Sequence, residues 1–129
     1  MISQTITVSG CNRVFVVYAE NSFNKPKKNF NYFLYYFEVI CKFEGELENT
    51  NGRRLVIGLK NLNTNRDIFY YANEFTIFIE DEAPVELETC FNDNDIFGCG
   101  LVYPPINKLN EFPYIFFTQN GKQIGNKYI

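Results

Sequence analysis

The chain has 129 residues and a net charge of −3, with 46% hydrophobic and 18% aromatic residues. That length fits one domain spanning 1–129 with a sizeable core, and that composition excludes disorder as the dominant state. The slightly acidic balance gives no global basic field for nucleic acid or an anionic membrane, so neither is expected as a partner.

The N-terminal stretch from Met1 to Val8 has no basic segment followed by an apolar run, and no apolar run anywhere is long enough to span a bilayer. A cytoplasmic location is expected, with secretion as the alternative. Residues 4–8 alternate Thr with Ile and Val, predicting a short strand, and Arg13–Ala19 is β-branched and aromatic, predicting a second that includes Tyr18. Residues 20–31 form a polar, lysine-bearing loop with a proline. Leu34–Phe43 is the strongest strand in the chain. Phe37, Val39, Cys41 and Phe43 share one face, predicted to be core, and Tyr36, Glu38, Ile40 and Lys42 share the other.

An acidic turn, 44–52, leads to a strand over Arg53–Leu59. The Asn-rich segment after it reads as a loop. Ile68–Tyr71, Phe75–Ile79 and Val85–Cys90 are further short strands, the last two separated by Glu80-Asp81-Glu82-Ala83-Pro84. The segment Asp95–Leu101 alternates around Gly98 and Gly100, the mark of a strand that something approaches closely. Tyr103–Pro113 is a proline-bearing loop. Beyond it Ile115–Gln119 and Lys122–Gly125 flank Asn120-Gly121, a dipeptide suited to the positive φ angles of a type I′ hairpin turn. Short strands at near-regular spacing predict an all-β, antiparallel two-sheet sandwich with Ile57, Phe97, Cys99 and Phe117 also in its core.

Four stretches carry a family resemblance: Tyr35-Tyr36-Phe37-Glu38-Val39, Ile57-Gly58-Leu59, Asp95–Leu101 and Phe116–Gly125. In this order they resemble the SPRY domain, a β-sandwich that binds other proteins. The chain departs from the family pattern in having no Trp, in the long Pro104–Pro113 loop, and in ending soon after the hairpin where the family adds further strands. The resemblance therefore implies a SPRY-type sandwich lacking its last strands, either a fragment of a longer protein or a shortened domain. Some of Phe116, Phe117, Ile124, Tyr128 and Ile129 should then be uncovered, beside an open edge able to support self-association.

The resemblance implies a non-catalytic module that presents loops of a rigid scaffold to a protein or peptide partner. No cofactor, metal or catalytic residue is expected. The expected contacts are Tyr18, Asn65, Arg66, Tyr70 and Tyr71, because Tyr and Arg combine area with hydrogen bonding; for the Tyr70-Tyr71 pair the competing expectation is one ring in the core and one outside. Three alternatives remain open at the level of sequence. A carbohydrate-binding sandwich would use Tyr35, Tyr36 and Tyr103 as a platform. A glycoside hydrolase would use a carboxylate pair, Asp93 with Asp95 or Glu80 with Glu82. A secreted SPRY effector of the kind known from plant-parasitic nematodes is the third. The four cysteines, Cys11, Cys41, Cys90 and Cys99, form no C-x-x-C pair and are expected as buried thiols.

Overall fold

A computed structural model of the protein describes residues 5–7, 22–40, 55–62, 64 and 66–129. Among these residues it contains strands and turns and no helix long and apolar enough to cross a membrane. The strands are β1 (Thr5–Thr7), β2 (Phe33–Ile40), β3 (Val56–Lys60), β4 (Asp67–Tyr71), β5 (Thr76–Ile79), β6 (Val85–Glu86), β7 (Ile96–Tyr103), β8 (Tyr114–Gln119) and β9 (Lys122–Tyr128). They form a five-stranded sheet in the order β1-β2-β7-β8-β9 and a four-stranded sheet in the order β3-β4-β5-β6. All pairings are antiparallel except β1 with β2, which run parallel with Ile6 opposite Val39. The fold is thus the all-β two-sheet sandwich that the short, regularly spaced strands predict, with one parallel pair at an edge. The predicted strand over Arg13–Ala19 and the ends of three others, including Cys41, lie outside the described residues.

Period-two alternation decides what fills the space between the sheets. Ile57, Ile68, Tyr70, Ile77 and Ile79 come from the four-stranded sheet, and Phe97, Cys99, Ile115 and Phe117 from the five-stranded one; all are buried. Phe37 and Val39 pack against this cluster from β2 but keep some exposure. At its centre the Tyr70 ring lies 6.1 Å from Phe97 and 5.7 Å from Phe117, both tilted and at separations that aromatic pairs prefer. Burial holds the Cys99 thiol far above its ordinary pKa, so it acts as a small hydrophobe. Cys90 is exposed, against the sequence expectation, because the chain has already left the sheet there.

That departure has a local cause. The expected strand over Val85–Cys90 stops at Glu86, although Val85 and Leu87 both reach the core. The next partner on β5 would be Phe75, whose φ of 53° takes it out of the strand. One bond, Leu87 N–H to the Phe75 carbonyl at 2.7 Å, ends the ladder.

The Asn-Gly hairpin forms as the sequence predicts. Asn120 has φ 51° and Gly121 φ 79°, the two positive angles of a type I′ turn, between the paired residues Gln119 and Lys122. A bulge follows at once, between the Phe117 and Thr118 positions.

Candidate interaction surfaces

The hairpin is fastened to the start of β7 by side chains far apart in sequence. Asn120 Nδ2 donates to Asp95 Oδ1 at 2.9 Å, and its own Oδ1 accepts from the Ile96 N–H at 2.9 Å. Gln119 Nε2 donates to Asp95 Oδ2 at 2.9 Å and also to the Cys90 carbonyl, while the Asn92 N–H reaches Asp95 Oδ2 at 2.8 Å. Burial alone would raise the Asp95 pKa; the bonds from Asn120, Asn92 and Gln119 together outweigh it and hold the carboxyl below its ordinary value. Both oxygens are therefore engaged in fixing the turn. In the other carboxylate pair, Glu82 takes Arg66 at 2.5 Å and Lys127 at 3.5 Å. Among the described residues no group of three or more His, Cys, Asp or Glu is placed to hold a metal.

The expected contact residues are not brought together as one site. Tyr18 and Asn65 lie outside the described residues. Arg66 is exposed just ahead of β4, and its ion pair with Glu82 ties that corner to the β5–β6 turn. Tyr70 is fully buried, so its side chain has no surface to offer a partner. It shares its face of β4 with Ile68, which is buried as well. Tyr71 points the other way. It lies on the outer face of the four-stranded sheet, edge-on to Phe78 with centroids 4.8 Å apart. With Phe69 these rings line an open concavity of about 340 Å³, rimmed by Asp67 and Glu80.

The three tyrosines proposed from sequence as a sugar platform also separate. Tyr35 and Tyr36 are adjacent in β2 and so face opposite ways. Tyr35 stacks on Phe23 at 4.6 Å and donates to the Asn24 carbonyl at 2.7 Å. Tyr103, opposite Phe33, belongs to the Tyr35 side.

Tyr36 instead belongs to an aromatic surface on the outer face of the five-stranded sheet. The register lines up Leu34, Val102, Tyr114 and Tyr128 in one row across four strands. Tyr36, Gly100, Phe116 and Asn126 make the next row, and Glu38, Gly98, Thr118 and Gln123 the third. The two glycines of β7 sit beneath rings from its neighbours. A Cβ on Gly100 would lie 2.2 Å from the Phe116 ring, and one on Gly98 would lie 2.2 Å from the Tyr36 hydroxyl. What approaches the glycine strand closely is therefore the protein's own aromatic pair. The two rings are nearly parallel, 11° apart, with centroids separated by 5.9 Å. Phe116 continues to Tyr114 at 6.3 Å and Tyr114 to Tyr128 at 6.0 Å. Around this strip Tyr32, Leu34, Phe112, Tyr128 and Ile129 are exposed. Phe117, by contrast, is buried, so the uncovered side chains near β9 are those of its outer side and its end. β9 is an edge of the described sheet, and its two lysines, Lys122 and Lys127, and its bulge disfavour pairing with another edge.

No family model and no curated protein matches this sequence. Among solved structures, a crystal structure of a human SPRY domain is similar, with 18% sequence identity and a TM-score of 0.47. The match covers 81% of this chain, and the chain spans 66% of the length of that structure.

Proposed function

We propose that this protein is a non-catalytic interaction module that binds a protein or peptide partner on the outer face of its four-stranded sheet. The observation that carries this reading is the half-exposed cluster of Phe69, Tyr71 and Phe78 around an open concavity, held on strands whose opposite face is the core. Aromatic side chains fixed by a scaffold give contact area at low entropic cost. The SPRY-like sequence motifs support the same function. Arg66 is a peripheral contact in this reading: its ion pair with Glu82 is solvent-exposed, so a partner carboxylate can replace Glu82 at little net cost. The unpaired thiols of Cys90 and Cys99 fit a reducing, cytoplasmic setting.

The test is selection of peptides from a random library on the folded protein, followed by affinity measurement on variants. Tyr71→Ala should weaken selected peptides by about 2 kcal/mol, with an unchanged melting temperature. Peptides that bind the variant equally well, or a glycan array that yields ligands where the peptide library yields none, would refute the proposal.

A further inference from the structure

The outer face of the five-stranded sheet carries a second chemistry, independent of the cluster around Tyr71. Tyr36 and Phe116 present nearly parallel rings, and the rings are seated rather than loose, because Gly98 and Gly100 receive them. A carboxylate stands at the edge of this pair. The Tyr36 hydroxyl donates to Glu38 Oε1 at 2.8 Å and meets Thr118 Oγ1 at 2.6 Å. With the phenol hydrogen committed to Glu38, the Thr118 hydroxyl donates to the phenol oxygen. The chain Thr118–Tyr36–Glu38 thus fixes the carboxylate beside the rings. Burial, the largest influence, raises the Tyr36 pKa, keeping the phenol a donor at neutral pH.

Glu38 has no cation to satisfy it among the described residues: the two ion pairs there both use Glu82, on the other sheet's turn. A second carboxylate lies at the far end of the same strip. Glu111 accepts from the Tyr32 hydroxyl at 2.5 Å, next to Tyr114. Among the described residues the surface is therefore aromatic in the middle and anionic at both ends, on a protein of net charge −3.

We infer that this face binds an arginine-bearing peptide segment, with a guanidinium laid on the Tyr36–Phe116 pair and hydrogen-bonded to Glu38. Arginine is the side chain that meets both demands. Its planar, weakly hydrated cation stacks on aromatic faces, and its fork of donors matches a carboxylate. A lysine ammonium meets the charge alone, and citrulline has the shape without the charge. Glu111 sits where a second basic side chain of the same segment would arrive.

The experiment is an NMR titration of the isotopically labelled protein with the peptide Gly-Ser-Arg-Gly-Arg-Ser-Gly. Its lysine and citrulline counterparts serve as comparisons. The expected result is saturable shifts of the Gly98, Gly100 and Thr118 amides with the arginine peptide, and binding about tenfold weaker or more for each counterpart. Glu38→Gln, which keeps the side-chain shape and an acceptor for Tyr36, should weaken the arginine peptide by a similar factor. Phe116→Leu should do so as well, and Glu38→Gln carries the test if that variant fails to fold. Tyr71→Ala should leave this binding unchanged, which separates it from the site proposed above. Equal affinity for the three peptides, indifference to Glu38→Gln, or no saturable shift at these amides overturns the inference.

Discussion

Tyr70 gives the sharpest test of the packing. Its side chain is fully buried between Phe97 and Phe117, and among the described residues its hydroxyl has no hydrogen-bond partner. A buried, unpaired hydroxyl costs about 1–3 kcal/mol, whereas removing it leaves the ring contacts intact. Tyr70→Phe should therefore stabilise the protein, by about 1 kcal/mol once slight repacking is allowed for. Tyr70→Ala removes the ring itself and should cost about 3–5 kcal/mol.

Alkaline pH supplies an independent readout. Burial, then the nearby Asp95 and Cys90, push the Tyr70 pKa from 10.0 to about 12. A raised folded-state pKa contributes stability that is fully present below pH 10 and is lost as pH rises through the folded value. Two pH units correspond to at most about 3 kcal/mol, so the advantage of Tyr70→Phe over the parent should widen between pH 10 and 12. Urea denaturation followed by far-UV circular dichroism at neutral and alkaline pH measures both effects. A loss of more than about 1 kcal/mol in Tyr70→Phe would show that the hydroxyl makes a productive hydrogen bond and that the reasoning is wrong.

Three further outcomes follow from single features. Gly121→Val places a β-branched residue at φ 79° and should cost about 1 kcal/mol or more in unfolding free energy, although open space surrounds the position; an unchanged urea midpoint would disprove strain at the turn. Gly100→Ala drives a Cβ against the Phe116 ring and should cost about 1–3 kcal/mol; an unaltered unfolding curve would mean the ring moves aside freely. Asp95 has a lowered folded-state pKa, so its contribution is present above about pH 4 and is lost as pH falls through the folded value. Asp95→Asn should destabilise at pH 7 and flatten the acid limb of the stability profile; parallel profiles for the variant and the parent would count against that role.

Much of this fold is legible from local signals: alternation marks β2 and β7, and short apolar, aromatic runs between turn residues mark β3, β4, β5 and β8. Together they named Phe97, Cys99, Phe117 and Ile57 as core. The hairpin was legible for a related reason: Asn-Gly has few alternatives between two apolar runs. The surfaces were harder to read because they depend on register between strands distant in sequence. Gly98 and Gly100 announce a close approach, but only the pairing of β7 with β2 and β8 shows that Tyr36 and Phe116 make it. The link from Asp95 to Asn120 likewise exists only because the hairpin returns to the start of β7. Within Tyr70-Tyr71 alternation requires opposite faces, but Ile68 and Phe69 are both apolar, so which ring goes inward shows only in the packing of Tyr70 against Phe97 and Phe117 of the other sheet.

Both sheets place a glycine where a neighbouring strand comes close. On the four-stranded sheet a Cβ at Gly58 would lie 2.1 Å from the Ile68 carbonyl oxygen and 2.5 Å from the Phe69 ring; one at Gly100 would lie 2.2 Å from the Phe116 ring. A glycine costs strand propensity, and here that cost is offset by letting a ring from the neighbouring strand settle across the sheet. A settled ring has already lost much of its rotamer freedom, so a ligand that contacts it has less ordering to supply. The surroundings of the two ring clusters differ. Phe69 and Tyr71 line a concavity with Asp67 and Glu80 at its margin, whereas Tyr36 and Phe116 present a pair with Glu38 locked at its edge through the Tyr36 hydroxyl. Tyr36→Phe therefore isolates the second arrangement: it keeps the ring and frees the carboxylate. If the anchored carboxylate sets arginine selectivity, this variant should retain apolar contact while the preference for the arginine peptide over its citrulline counterpart collapses. If the preference survives, charge alone rather than a positioned carboxylate does the selecting.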